Sequence, residues 1–323
     1  MDSREKAKLF IYAGFGLLLL FFPLSALEVE PVHTFYYIFA WWPLIFLIDG
    51  IIYVIREESL IINRPREFFI MLPWSAFIWF IFEIINVRLQ NWQYMYVPSS
   101  NYLRWTGYFL SYATVLPAIF EISELLETLN IFKNAKIRPL KISNRLLSSL
   151  LYTGIISAAL IYFFPKYFFW LTWGTFIFLL EPVNYRLGLN SFLKEFARGK
   201  IRKFYLLLAS GLICGIIWEV LNYWAGAKWV YTVPFVGEFF KICEMPILGF
   251  LGFPPFAIEC YAVYSFISYL RRGKNHELDS FANLKIPPRP ILNIFAYVIL
   301  IAVCALAIFL IDKYTVHLYT LKL

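Results

Sequence analysis

Phe82-Glu83-Ile84-Ile85-Asn86, then Asn91-Trp92-Gln93-Tyr94 and Val97-Pro98, closes with Pro117-Ala118-Ile119-Phe120-Glu121. The same order returns as Trp218-Glu219-Val220-Leu221-Asn222, Lys228-Trp229-Val230-Tyr231, Val233-Pro234 and Pro255-Phe256-Ala257-Ile258-Glu259. Glu to Asn is three residues in both copies, Glu to the loop Pro is fifteen, and the last Pro to Glu is four. The spacing extends outward. Tyr12-Ala13-Gly14 with Pro23 matches Tyr152-Thr153-Gly154 with Pro165, and Trp42 before Asp49 matches Trp173 before Glu181. A unit of four helices, written twice, accounts for these matches.

The medium follows from composition. Of 323 residues, 61% are hydrophobic and 15% charged, with a mean hydropathy of +0.66; soluble domains carry about 25% charged residues. Apolar runs near the ~20 residues needed to span a bilayer recur along the chain. The expected fold class is all-α: a polytopic integral membrane protein of about nine transmembrane helices, at 9–26, 34–55, 68–88, 105–127, 145–164, 166–183, 203–224, 243–270 and 290–311. Two parallel four-helix repeats, 1–130 and 146–272, are joined by a basic linker, 131–145. A loop and ninth helix fill 273–323. An even number of helices per unit makes both copies enter the membrane in the same sense, with sites expected where such halves meet.

The net charge of +8 is segregated by loop, with 22 of 29 Lys and Arg on alternate flanks. This predicts a multi-pass protein of the cell membrane with a cytoplasmic N-terminus and an external C-terminus, and it argues against nucleic acid as a partner. Cys214, Cys243, Cys260 and Cys304 have no CxxC spacing, and His33, His276 and His317 lie outside the apolar runs, so no metal site is expected. Nucleotide, dinucleotide and hydrolase motifs are missing, as is an Asp pair for a diphosphate and its cation. No cofactor is expected.

What remains is carboxylates in apolar helices: Asp49, Glu83 and Glu121, then Glu181, Glu219 and Glu259. Each is costly at bilayer depth and must pair, hold a proton or face a polar cavity. Glu83 and Glu219 fall near one end of their helices, the other four deeper toward the basic flanks. Asn86 and Asn222, three residues on, share a helix face with the acids and could orient them. Trp92, Tyr94, Trp229 and Tyr231 would serve as interfacial belt residues or as a capping or re-entrant loop. Glu244 to Pro255 carries two glycines and three prolines, which break helix and are tolerated where they line a cavity. The second copy is therefore the expected site, with Glu219, Glu259 and Glu244 as leading acids, Glu83 and Glu121 beside them, and the Asn, Trp, Tyr, Asp49 and Glu181 positions binding substrate. Aromatic residues, 21% of the chain, would hold an apolar ligand and stabilise a cation on their faces.

The order of acid and Asn, Trp-x-Tyr loop, then Pro and Glu resembles the small membrane lycopene cyclase domains of the heterodimeric and fungal type, which also occur in tandem. The matching positions are Glu83, Trp92, Tyr94, Pro117, Glu121 and Glu219, Trp229, Tyr231, Pro255, Glu259, about 40 residues per half. The resemblance implies cofactor-free, proton-initiated cyclisation of a polyene. That family has two adjacent acids after its Pro and about three helices per unit; here one Glu follows, in a unit of four. The favoured expectation is an intramembrane enzyme using carboxylate acid–base chemistry on a membrane lipid or isoprenoid, in the manner of a cyclase or isomerase. A proton- or cation-coupled transporter or channel, and a non-catalytic scaffold, are the alternatives.

Overall fold

A computed structural model describes residues 2–235, 240–271 and 290–320. The basic residues Arg272, Lys274, Lys285, Arg289 and Lys322, and His276, lie outside the described residues. The chain is mostly helical, and among the described residues eight helical segments are long and apolar enough to cross a membrane, as a polytopic membrane protein requires.

Helix α1 (Ser3–Ala26) starts earlier than hydropathy indicates, because Asp2 and Glu5 form a reciprocal capping box that satisfies its first donors. α2 (Tyr36–Arg56) returns alongside it, and a short α3 (Leu60–Asn63) leads into α4 (Pro65–Leu89), whose first position is a proline. α4 stops where Gln90 turns left-handed at φ 54°. The chain then forms β1 (Trp92–Met95) and β2 (Val97–Pro98). The expected helix 105–127 begins at Asn101 instead and is broken at Ala113 and Thr114 into α5 (Asn101–Tyr112) and α6 (Val115–Thr128).

α7 (Asn144–Phe163) opens the second half, capped by the Ser143 hydroxyl. The helix expected over 166–183 is not continuous. Pro165 starts a single turn, α8 (Pro165–Phe168); a 3-10 segment, Phe169–Trp173, follows; and only after Gly174 does α9 (Thr175–Arg186) form. That leaves twelve α-helical residues, about 18 Å at 1.5 Å per residue against a ~30 Å hydrocarbon core. A short α10 (Phe192–Ala197), the long α11 (Arg202–Tyr223) and β3 (Lys228–Tyr231) come next. The helix expected from 243 starts ten residues later. Strands β4 (Lys241–Ile242) and β5 (Met245–Pro246) and a 3-10 segment, Ile247–Gly252, precede α12 (Phe253–Arg271), in keeping with the prolines and glycines there. α13 (Pro290–Tyr314) and β6 (Tyr319–Thr320) complete the chain.

Short strands join the helices of this all-α architecture. At the end of the bundle away from the 129–143 linker, β1 pairs antiparallel with β3, placing Trp92 opposite Tyr231 and Tyr94 opposite Trp229. β2 pairs in parallel with β6. These strands complete each other's backbone hydrogen bonds where the helices stop.

The helices of the two halves pack in corresponding ways: α1 on α2 and α7 on α9, α4 on α6 and α11 on α12, α2 on α6 and α9 on α12. α4 and α6 also meet α12 and α11 across the middle. Lipid is as apolar as the helix surfaces, so close packing and polar bonds hold such contacts. Gly14 and Gly154, matched in the sequence, do the same work. A Cβ on Gly14 would lie 2.7 Å from the Pro43 carbonyl oxygen, and one on Gly154 2.8 Å from the Leu179 side chain.

A Leu at Gly14 must push α1 off α2, at roughly 1–3 kcal/mol or more. Gly16, two residues along, has nothing within 4 Å of an added Cβ. Gly14→Leu is expected to lower the melting temperature in detergent markedly and Gly16→Leu to leave it unchanged; equal effects would refute this packing.

Candidate functional site

Glu83 on α4 and Glu219 on α11 are both buried beneath the β1–β3 pair. Side chains alternate along a strand, so Trp92 and Tyr94 share one face of β1. They aim at Glu83: its Oε1 accepts from the Tyr94 hydroxyl at 2.5 Å, the Trp92 indole at 3.1 Å and, from one helical turn back, the Trp79 indole at 2.8 Å. The Tyr112 hydroxyl donates to that of Tyr94 at 2.8 Å. In the second half the Tyr231 hydroxyl donates to Glu219 Oε1 at 2.6 Å and accepts from the Trp229 indole at 2.8 Å. One carboxylate oxygen thus has three donors and its counterpart one. Burial first, and then the adjacent carboxylate, hold the Tyr94 and Tyr231 phenols well above their ordinary range, so both stay protonated donors.

Asn86 and Asn222 do not orient the acids, contrary to expectation. The Asn86 amide donates to the Trp92 carbonyl at 2.8 Å and its oxygen accepts from the Asn91 and Trp92 backbone. Asn222 makes the same pair of bonds with the Trp229 carbonyl and N–H, each 2.9 Å. They pin the start of each strand to its helix, which places the Trp-x-Tyr side chains over the carboxylates. The loops are therefore strands anchored from below.

The deeper carboxylates have other work. Asp49 accepts from the Ser59 hydroxyl at 3.0 Å and the Ile61 N–H at 2.7 Å. Glu181 accepts from the Ser191 hydroxyl at 2.7 Å and the Leu193 N–H at 3.2 Å. Each satisfies an orphan donor at the start of a short helix, α3 or α10, from a neighbouring long one. Glu259 accepts from the Phe176 N–H at 2.9 Å, capping α9 just past the break at Gly174. Glu121 is buried, and neither of its oxygens has a hydrogen-bond donor. Glu244 forms an ion pair with Lys228 at 3.5 Å, both partly exposed.

A cavity of about 580 Å³ lies against this arrangement. Trp79, Trp92, Tyr94 and Tyr112 line it from the first half, with Trp173, Trp218, Trp229, Tyr231, Phe253 and Phe256 from the second. The rings pack on one another across the halves: Phe82 stacks on Trp173 at 5.6 Å, Trp92 on Trp173 at 6.3 Å, and Trp79 meets Phe256 edge-on at 5.5 Å. None of the proposed acids is a lining residue. Glu83 and Glu219 sit directly behind the wall, reached through tyrosine hydroxyls. Asp49, Glu121, Glu181, Glu244 and Glu259 are not brought to it. The expected weighting toward Glu219, Glu244 and Glu259 gives way to Glu83 and Glu219. Among the described residues no three His, Cys, Asp or Glu side chains converge as metal ligands would.

Sequence reasoning missed Trp79, although its place four residues before Glu83 puts it on the same helix face. It also missed Ser59 and Ser191, each ten residues after its acid. Tyr112 carried no local signal. Nor did Arg104, which grips Asp312 of α13 with two bonds of 2.8 and 2.7 Å while donating to the Pro98 and Ser99 carbonyls. Trp105 and Tyr108 also donate to Asp312. Beyond this latch the C-terminal segment runs beside β1, where the Tyr94 N–H donates to the Thr315 carbonyl and the His317 N–H to that of Tyr94, both 2.8 Å.

Compared with known proteins, no family model, no curated protein and no solved structure matches this chain.

Breaking a buried ion pair costs about 3–5 kcal/mol when one charge is left behind. Asp312→Ala is expected to lower the melting temperature sharply, and Glu244→Ala, at the partly exposed Lys228 pair, to shift it by no more than about 1 kcal/mol equivalent. Thermal unfolding in detergent decides; a larger effect at Glu244 would contradict the latch.

Proposed function

We propose that the chain is an intramembrane, cofactor-free enzyme of the cyclase or isomerase type, acting on an unsaturated isoprenoid held in the aromatic cavity. One observation carries this reading: two buried carboxylates stand behind the cavity wall, each presenting itself through a tyrosine hydroxyl, with unequal numbers of donors. The motif's likeness to the small lycopene cyclase domains points the same way. Around it we place a protein of two parallel four-helix repeats plus α13 in the cell membrane. The basic flanks put the N-terminus in the cytoplasm and the strand end outside.

Three donors solvate a negative charge at Glu83; a single donor leaves Glu219 free to carry a proton. Carboxyl groups in contrasting surroundings divide acid and base roles in this way. When protonated, Glu219 donates to the Tyr231 oxygen, reversing the bond between them, and Tyr231 passes its own proton to one carbon of a double bond. The resulting cation takes the π electrons of a second double bond to form a carbon–carbon bond. A neighbouring carbon then loses a proton through Tyr112 and Tyr94 to Glu83, restoring a double bond. The product has the composition of the substrate, so no oxidant or cofactor is consumed. The faces of Trp79, Trp173 and Phe256 stabilise the cation between these steps. The cycle closes when the proton returns to Glu219; Tyr94 and Tyr231, diagonal neighbours on paired strands, stand about 7–8 Å apart on the direct route.

In vesicles loaded with a linear polyene, the wild-type chain should yield a product of unchanged mass and altered retention time. Glu83→Gln and Tyr94→Phe are each expected to lower turnover by about 100-fold or more. Glu259→Gln should not, because an amide oxygen still accepts from Phe176. Loss with Glu259→Gln and not with Glu83→Gln would overturn the assignment.

A further inference from the structure

The cavity is not closed on all sides. Three of its lining residues, Trp170, Leu248 and Leu251, are 58%, 62% and 71% exposed. All three belong to the two 3-10 segments, Phe169–Trp173 and Ile247–Gly252. These segments touch where Gly252 packs on Trp173, with only 3.1 Å to spare for a Cβ. On the α5 side Gly107 closes on the Phe35 ring, where a Cβ would come within 2.9 Å. At the corresponding place in the first half an α-helix, α5, runs unbroken past the strands; in the second half it is replaced by the β4–β5 hairpin and a 3-10 turn. The exchange of helix for a tighter, narrower coil leaves the gap.

We propose that this gap is a lateral portal, through which a single methyl-branched, unsaturated chain passes from the surrounding lipid into the cavity. Exposed apolar side chains at a membrane span face acyl chains, so the portal is continuous with the hydrocarbon region. A cavity of about 580 Å³ matches the volume range of pockets for one drug-sized molecule, which suits the end of one chain and not a two-chain phospholipid. The end that enters first meets Tyr112, Tyr94 and Trp79, while the rest trails out past Trp170 and Leu248. The choice of an unsaturated isoprenoid over a saturated acyl chain rests on the proposed chemistry, since only a double bond gives the tyrosine–carboxylate pairs something to protonate. The route itself does not.

A photoactivatable polyprenol in nanodiscs containing the full chain tests both parts. Adducts are expected on Trp170, Leu248 and Trp173, competed by unlabelled polyprenol and not by a saturated fatty alcohol of equal length. Leu248→Trp should slow cavity labelling at least about tenfold, as a block on entry acts on the association rate. Leu19→Trp, on the equally exposed face of α1 (Leu19 is 62% exposed), should leave it unchanged. Adducts spread evenly over α1 and α13, or a labelling rate untouched by Leu248→Trp, would overturn the portal. Equal competition by the saturated alcohol would overturn the isoprenoid assignment. Labelling needs no turnover, so portal labelling that persists while Glu83→Gln leaves turnover intact would fault the catalytic reading alone.

Discussion

A carboxylate removed from water must find donors, and the architecture is arranged around that demand. Six buried acids are distributed over the two halves; the chain meets four of them with matching devices, while neither oxygen of Glu121 has a hydrogen-bond donor. Asp49 and Glu181 each take a serine hydroxyl and a backbone N–H at the start of a short helix. Glu83 and Glu219 each take a tyrosine hydroxyl from a strand that an asparagine has pinned to the same helix. The donors come from segments that would otherwise be loops. Satisfying the acids therefore also fixes α3, α10, β1 and β3, and through the β1–β3 pair it fixes the aromatic wall of the cavity.

The two halves share a set of helix contacts and differ beside the cavity. In the first, α5 supplies Tyr112 and Tyr108, stacked nearly parallel at 6.0 Å, and Tyr112 extends the hydrogen-bond chain from Glu83 to the cavity. In the second, the prolines and glycines between Glu244 and Pro255 prevent the equivalent helix. Space opens where Tyr112 would stand, and the donor Trp79 is missing because its position on α11, four residues before Glu219, is Gly215. Glu83 is left with three donors and Glu219 with one.

Much of this was legible in the sequence. Hydropathy placed the long helices, and the paired Glu-x-x-Asn and Trp-x-Tyr motifs located the residues that come together at the strand end. Breaks were harder. The run from Lys166 to Val183 is apolar enough to read as a helix, yet a 3-10 segment and Gly174 divide it, and the Glu259 cap that makes the break tolerable lies 83 residues away from Phe176. The β1–β3 pairing joins segments more than a hundred residues apart, and no local pattern in four residues distinguishes a strand from an interfacial aromatic belt. The role of Asn86 was misassigned for a related reason: spacing shows that it shares a face with Glu83, but not that a strand backbone would compete for its amide. Glu244 and Glu259 draw weight from the helix-breaking stretch that marks the second copy; in the structure Glu244 pairs with Lys228 and Glu259 caps α9.

The account stands on the cavity being a binding site for one apolar chain. Extraction of the gently purified protein with organic solvent, followed by mass spectrometry, tests this most directly. One unsaturated isoprenoid species, near stoichiometric with the protein and depleted by Leu248→Trp, is the result expected. An extract with the composition of the bulk membrane, unchanged by that substitution, would contradict it.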